Sequence, residues 1–95
     1  MTDGAALRSR FLPRFLTIAT GRIQRCSQLA ERGDWNAITT ELHALAGEAA
    51  LLELRDIANL AREGERLARK PESQAECTGI LRSIEAQIAA CSSGS

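Results

Sequence analysis

The 95-residue chain contains no valine and no tyrosine, and only one tryptophan, two phenylalanines and one histidine. β-Branched and aromatic side chains are what a pleated, half-buried surface favours, so their scarcity argues against a sheet. Three aromatics are also too few for the stacking platforms that hold single-stranded nucleic acid. An excess of one charge sign is missing as well, because twelve Lys and Arg balance twelve Asp and Glu. A neutral chain lacks the basic surface that a phosphate backbone requires, so no nucleic acid partner is expected. No run of 18 apolar residues occurs, and no membrane span is expected. The N-terminal MTDGAALRSR lacks the apolar core segment of a signal peptide, and Met1 favours an independent chain. No Gly-rich phosphate loop is present, so no nucleotide site is expected.

The three cysteines, Cys26, Cys77 and Cys91, are odd in number and fall in apolar helical patterns. A secreted disulfide scaffold would favour an even count in a loop-rich chain, so these read as reduced thiols of a cytoplasmic protein. Cys77 and Cys91 on one helix would be about 21 Å apart along its axis and could not share a metal ion. Neither a metal nor a cofactor of the chain's own is expected.

Sixteen alanines, twelve leucines and seven isoleucines make up most of the apolar content, the composition of helices. Thr2 or Asp3 can cap a first short helix bearing Leu7 and Phe11 on one face, with Pro13 as a break, a kink or a first-turn residue of the next. Leu12, Leu16, Ala19, Ile23, Cys26 and Ala30 then recur at spacings of 4, 3, 4, 3 and 4, one stripe of a long amphipathic helix. Gly33 ends it and Asp34 caps the next. That helix runs from Trp35 to about Leu51, with the stripe Trp35, Ile38, Leu42, Leu45, Ala49 and Leu52. A turn is expected over residues 52–54, although no Gly or Pro marks it. A fourth stripe is Ile57, Leu60, Ala61, Gly64, Leu67 and Ala68, with Glu65 and Arg69 paired on the outer side of its helix. Pro71 stops it, and Ser73 to Glu76 reads as a capping box before a last helix bearing Cys77, Ile80 or Leu81, Ile84, Ile88 and Cys91. The expected fold is all-α: an antiparallel up-and-down four-helix bundle with an additional N-terminal helix. It forms a single domain over 1–95, with its core at about 5–91 and a frayed tail at 92–95.

One residue breaks the core-and-surface pattern. His43 lies in the middle of its helix, one position past the stripe residue Leu42, so a step of about 100° carries it off the apolar seam to the border of the core face. Thr39 and Thr40 lie one turn back, Ala46 and Gly47 one turn forward and Ala50 two turns forward, and all are small. A glycine inside a helix costs about 1 kcal/mol relative to alanine, and close approach of a partner or a phosphoryl group would offset that. From spacing alone, a plain surface histidine and an imidazole cleared for access both remain open.

The segment His43-Ala-Leu-Ala-Gly47, with Leu52 and the run from Leu54 to Leu60 after it, resembles the signature of histidine-containing phosphotransfer (HPt) domains. Gly33-Asp34-Trp35 and the Phe15-Leu16 segment resemble the same family, and the likeness spans about residues 5–90. Two positions depart from the family pattern: its Lys three residues after the histidine is Ala46, and Glu53 stands where a turn glycine is frequent. Arg62, Arg66 or Arg69 on the following helix are candidates to supply the missing charge. Glu65 falls where some members of the family place a polar residue near the histidine, although a solvated helix face is its expected role.

The resemblance implies a phosphorelay carrier in two-component signalling and not an autonomous enzyme. His43 would be the phosphoacceptor, through Nε2, taking the group from a receiver-domain aspartate and passing it to another. A free imidazole with a pKa near 6.5 is largely neutral at pH 7 and so nucleophilic. Thr39, Thr40, Ala46, Gly47 and Ala50 would form part of the docking surface. The implied partners are response-regulator receiver domains and a sensor or hybrid histidine kinase, with Mg2+ brought by the receiver. Such bundles can be monomers or built from two chains, and five helical segments in one chain favour a monomer. A helical module that binds a receiver or kinase without accepting phosphate, marked by Ala46 in place of Lys, is the rival reading. A structural bundle with an incidental histidine is the third.

Overall fold

The computed structural model describes residues 4–93, which form four α-helices and one 3₁₀ turn. Helix α1 spans Gly4–Glu31, α2 Trp35–Leu51, α3 Arg55–Ala68 and α4 Gln74–Ser93, with the 3₁₀ turn at Pro71–Ser73. Each helix packs on the next, and α4 closes back on α1. At 1.5 Å per residue a 28-residue helix is about 42 Å long. Helix α1 therefore sets the 44 Å long dimension of the molecule.

The apolar stripes meet along one continuous core. Ala19, Ile23 and Cys26 come from α1, Ile38, Leu42, Leu45 and Ala49 from α2, Ile57, Ala61 and Leu67 from α3, and Cys77, Leu81, Ile84 and Ile88 from α4. No buried side-chain nitrogen or oxygen lacks a partner among the described residues. All three cysteines are free thiols. Burial pushes the Cys26 thiol up to about 12, with the nearby Glu41 charge adding to the effect, and burial pushes Cys77 up to about 11. Both are inert as nucleophiles at neutral pH.

No separate N-terminal helix is present among the described residues. Residues expected to form it are the opening turns of α1, which runs through Pro13 without interruption. Proline removes one intrahelical bond, the one its N–H would make to the carbonyl of Ser9. Ser9 and Pro13 are both exposed, so that carbonyl is open to solvent, and the helix-forming residues on either side carry α1 onward. The Thr2 and Asp3 caps and the Leu7 side chain lie outside the described residues. Of the expected frayed tail, Ser92 and Ser93 belong to α4, and 94–95 lie outside the described residues. Entry into α4 differs too. The Ser73–Glu76 box closes neither of its bonds, and the 3₁₀ turn leads in directly, with the Gln74 N–H donating to the Pro71 carbonyl.

The two turns that bound α2 place the rest. At the end of α1 the Asp34 N–H donates to the Leu29 carbonyl and the Gly33 N–H to that of Ala30, with Gly33 at φ +73°. Asp34 then caps α2, its carboxylate accepting from the Ala37 N–H at 3.2 Å. At the end of α2 the Leu54 N–H donates to Ala49 and the Glu53 N–H to Ala50, with Glu53 at φ +58°. Both are the Schellman helix stop.

Candidate functional site

Helix α2 carries His43 on a face that its own stripe cannot bury. Ile38, Leu42, Leu45 and Ala49 are fully buried, and the ring one step beyond Leu42 keeps 78% of its side-chain surface in solvent. Across from it, α3 brings up Glu65. The carboxylate oxygens lie 3.2 and 3.4 Å from His43 Nδ1. Glu65 itself retains only 13% of its exposure, and Arg69, one turn on, donates to it at 2.7 Å. The three side chains form a line from guanidinium to carboxylate to imidazole.

That line has a chemical consequence. A carboxylate can only accept, so it favours the ring form whose proton is on Nδ1. The lone pair is then on Nε2, which has no hydrogen-bond partner among the described residues and faces solvent. The arrangement provides an oriented, accessible nitrogen nucleophile, with the other ring nitrogen held by a carboxylate as in other nucleophile–orienter pairs.

The small surface around the ring is partly as expected. Thr40, Gly47 and Ala50 are exposed with His43, and a Cβ added at Gly47 would meet nothing within 4 Å. Thr39 is half-buried and its hydroxyl donates to the Trp35 carbonyl. Ala46 does not belong to that surface. It is 4% exposed and packs in the core, one turn from the buried Leu42 and Ala49 on the same helix face. A position that holds Lys in the family pattern is therefore sealed here by a methyl group. Of the arginines considered as replacements, Arg69 reaches the histidine through Glu65, Arg66 is taken up by Glu63, and Arg62 is exposed.

The sequence pairs Glu65 with Arg69 on the solvated outer side of α3, and the family resemblance offers a place near the histidine only as the lesser reading of that position. The pairing is present, but the carboxylate points between α2 and α3. The phase of the α3 stripe held the signal, since Glu65 follows the buried Gly64 and borders the seam as His43 does. The large apolar side chains most exposed among the described residues are Phe11, Ile18 and Leu51, of which the sequence pattern marks only Phe11; they share one groove of about 360 Å³ near the C-terminal end of α2.

On the other flank of α2, Arg22 of α1 bonds Glu48 at 2.9 and 2.7 Å and Glu41 at 2.9 Å, while Arg25 bonds Glu41 at 3.2 and 3.3 Å. Burial opposes ionisation of Glu41, but the bonds from Arg25 and Arg22 outweigh it and hold the carboxyl below its usual range. The Glu48 bonds raise the Arg22 guanidinium above its ordinary value. No cluster of three or more His, Cys, Asp or Glu among the described residues is placed to hold a metal ion, and no helix among them is long and apolar enough to cross a membrane.

The family model of the Hpt domain matches residues 10–93. No curated protein and no solved structure matches the chain significantly.

Proposed function

Because the chain belongs to the Hpt domain family, we propose that it is a phosphorelay intermediate whose phosphoacceptor is His43. The observation that carries this reading is the exposed ring whose Nδ1 meets Glu65 at 3.2 Å. In the transfer, the Nε2 lone pair forms a bond to phosphorus as the bond to the receiver's aspartyl oxygen breaks. The aspartate leaves as carboxylate. The ring becomes a cation that keeps its Nδ1 proton, and Glu65 offsets that charge. Onward transfer to a second receiver reverses these changes. Such a step needs alignment and charge neutralisation more than further side chains, and the receiver supplies Mg2+.

The receiver docks over Thr40, Gly47 and Ala50, with Leu51 and the groove beside it further along α2. Opposing order in the α1–α2 ion pairs, Arg22 with Glu48 and Arg25 with Glu41, supports an antiparallel up-and-down bundle that presents this face as one surface. The protein acts in the cytoplasm as a monomer between a sensor or hybrid histidine kinase and its response regulators.

The test is transfer of label. A phosphorylated receiver, or a sensor kinase with ATP, should give the protein an acid-labile, base-stable phosphoryl label. His43→Gln should abolish it. A label that survives the substitution overturns the assignment. No label with any cognate partner favours the rival binding module, whose sign is Ala46 in place of Lys.

A further inference from the structure

Gly64 is a point of close contact between α3 and both of its neighbours. A Cβ there would lie 2.9 Å from Leu42 Cδ1 on α2 and 3.2 Å from Ile80 Cγ2 on α4. Leu42 is fully buried, so its methyl group can yield only by shifting the neighbours it packs on. From α4, the Cys77 thiol also donates to the Gly64 carbonyl at 3.3 Å. The glycine is therefore clasped from both sides at the level of the histidine: Leu42 precedes His43 and Gly64 precedes Glu65. The bond between His43 and Glu65, at 3.2 and 3.4 Å, is already near the long end of hydrogen-bonding distance. A further retreat of α3 by about half an ångström breaks it.

We propose that Gly64 is a positioning residue for the phosphoacceptor. Its missing side chain sets the separation of α2 and α3 at which Glu65 reaches His43 Nδ1 and so fixes the ring with Nε2 free. This rests on His43 being the phosphoacceptor, but the contact itself does not. A helix-interior glycine is unfavourable relative to alanine, and the close approach to Leu42 and Ile80 is what its absence of a Cβ permits.

The test compares wild type, Gly64→Ala, Glu65→Ala, Leu42→Val and the pair Gly64→Ala with Leu42→Val. The ¹⁵N spectrum of the His43 ring is read without any phosphodonor, and transfer from a phosphorylated receiver is timed separately. Wild type should show mainly the Nδ1–H form. Gly64→Ala should keep its helical circular dichroism, shift the ring toward the solution mixture of tautomers as Glu65→Ala does, and slow transfer on the order of tenfold. Leu42→Val removes the obstructing methyl, so the double variant should return both readouts to those of Leu42→Val alone. That comparison stands even where Gly64→Ala alone does not fold. An unchanged ring spectrum in Gly64→Ala, or a double variant that stays shifted, overturns the proposal. A shifted spectrum with no transfer in any protein, wild type included, leaves the positioning role in place and overturns the phosphorelay reading instead.

Discussion

The two flanks of α2 handle charge in opposite ways. Toward α1, Glu41 and Glu48 are each met by an arginine, and the pairs are partly withdrawn from water. Toward α3, a single ring projects into solvent with one carboxylate behind it and no other partner among the described residues. A closed network of this kind fixes how two helices sit against each other, because every charge in it has a partner. A half-satisfied ring leaves one strong acceptor unoccupied, which is what the proposed transfer requires. On that proposal the same helix carries a structural flank and a chemical one, separated by about half a turn.

The sharpest way to break that division is to fill the empty side. Gly47→Gln adds a long neutral side chain on the open face, where a Cβ meets nothing within 4 Å. Replacing a mid-helix glycine should raise stability by about 0.5–1 kcal/mol. Transfer from a phosphorylated receiver should nevertheless fall by on the order of a hundredfold, since a docked partner cannot approach the ring through the added side chain. Phosphorylation of His43 by phosphoramidate, a donor small enough to pass, should stay at the wild-type rate. Unchanged receiver transfer would show that the partner does not use this face.

The converse substitution belongs on the closed flank. Arg22→Ala leaves Glu48 and part of Glu41 without their partner in a half-buried setting. Stability should drop by about 1–2 kcal/mol, more than an exposed pair contributes and less than a fully buried one. In a domain of this size that lowers the melting temperature by roughly 5–15 °C. Receiver transfer measured well below the transition should be unaffected. A transfer defect equal to that of Gly47→Gln would mean that the flanks are coupled and the division is wrong.

The ends of α2 extend the comparison and show what the sequence made legible. Gly33 and Asp34 spell out the first stop and the following cap, and both features were readable because each residue type matches its backbone demand: glycine at positive φ, aspartate at an N-cap. The second stop has the same pair of backbone bonds, but Glu53 holds the left-handed position and Leu54 makes no side-chain cap. Its location followed from the phase change between the stripes of α2 and α3, while its geometry had no local signature because tertiary packing overrides residue preference there. The four stripes were legible for the same reason that Ala46 and Glu65 were not. Periodicity reports which side of a helix is buried, whereas the fate of residues bordering that side depends on how near the neighbouring helix comes. Gly64 decides this for α3, and a glycine in an apolar stripe does not announce a close contact by itself. Glu53→Gly tests the turn. Relief of the left-handed strain, set against the greater freedom of glycine in the unfolded chain, should raise stability by about 0.5–1 kcal/mol with no change in transfer.

The smallest expected effect concerns pH and the closed flank alone. Arg25 and Arg22 hold the Glu41 carboxyl below the ordinary glutamate value of 4.5, even though burial works the other way. Between that value and the folded-state one, the unfolded chain binds a proton that the folded chain does not. By linkage, the contribution of Glu41 to stability is fully present above about pH 4.5 and is lost as pH falls through the lower, folded-state value. Glu41→Gln should therefore be less stable than wild type at pH 7 and should show a shallower loss of stability on acidification below 4.5. Denaturant melts at a series of pH values read both. An equally steep acid slope in Glu41→Gln would mean that other carboxylates dominate, and the network would then be a fixed register of α1 on α2 with little electrostatic contribution of its own.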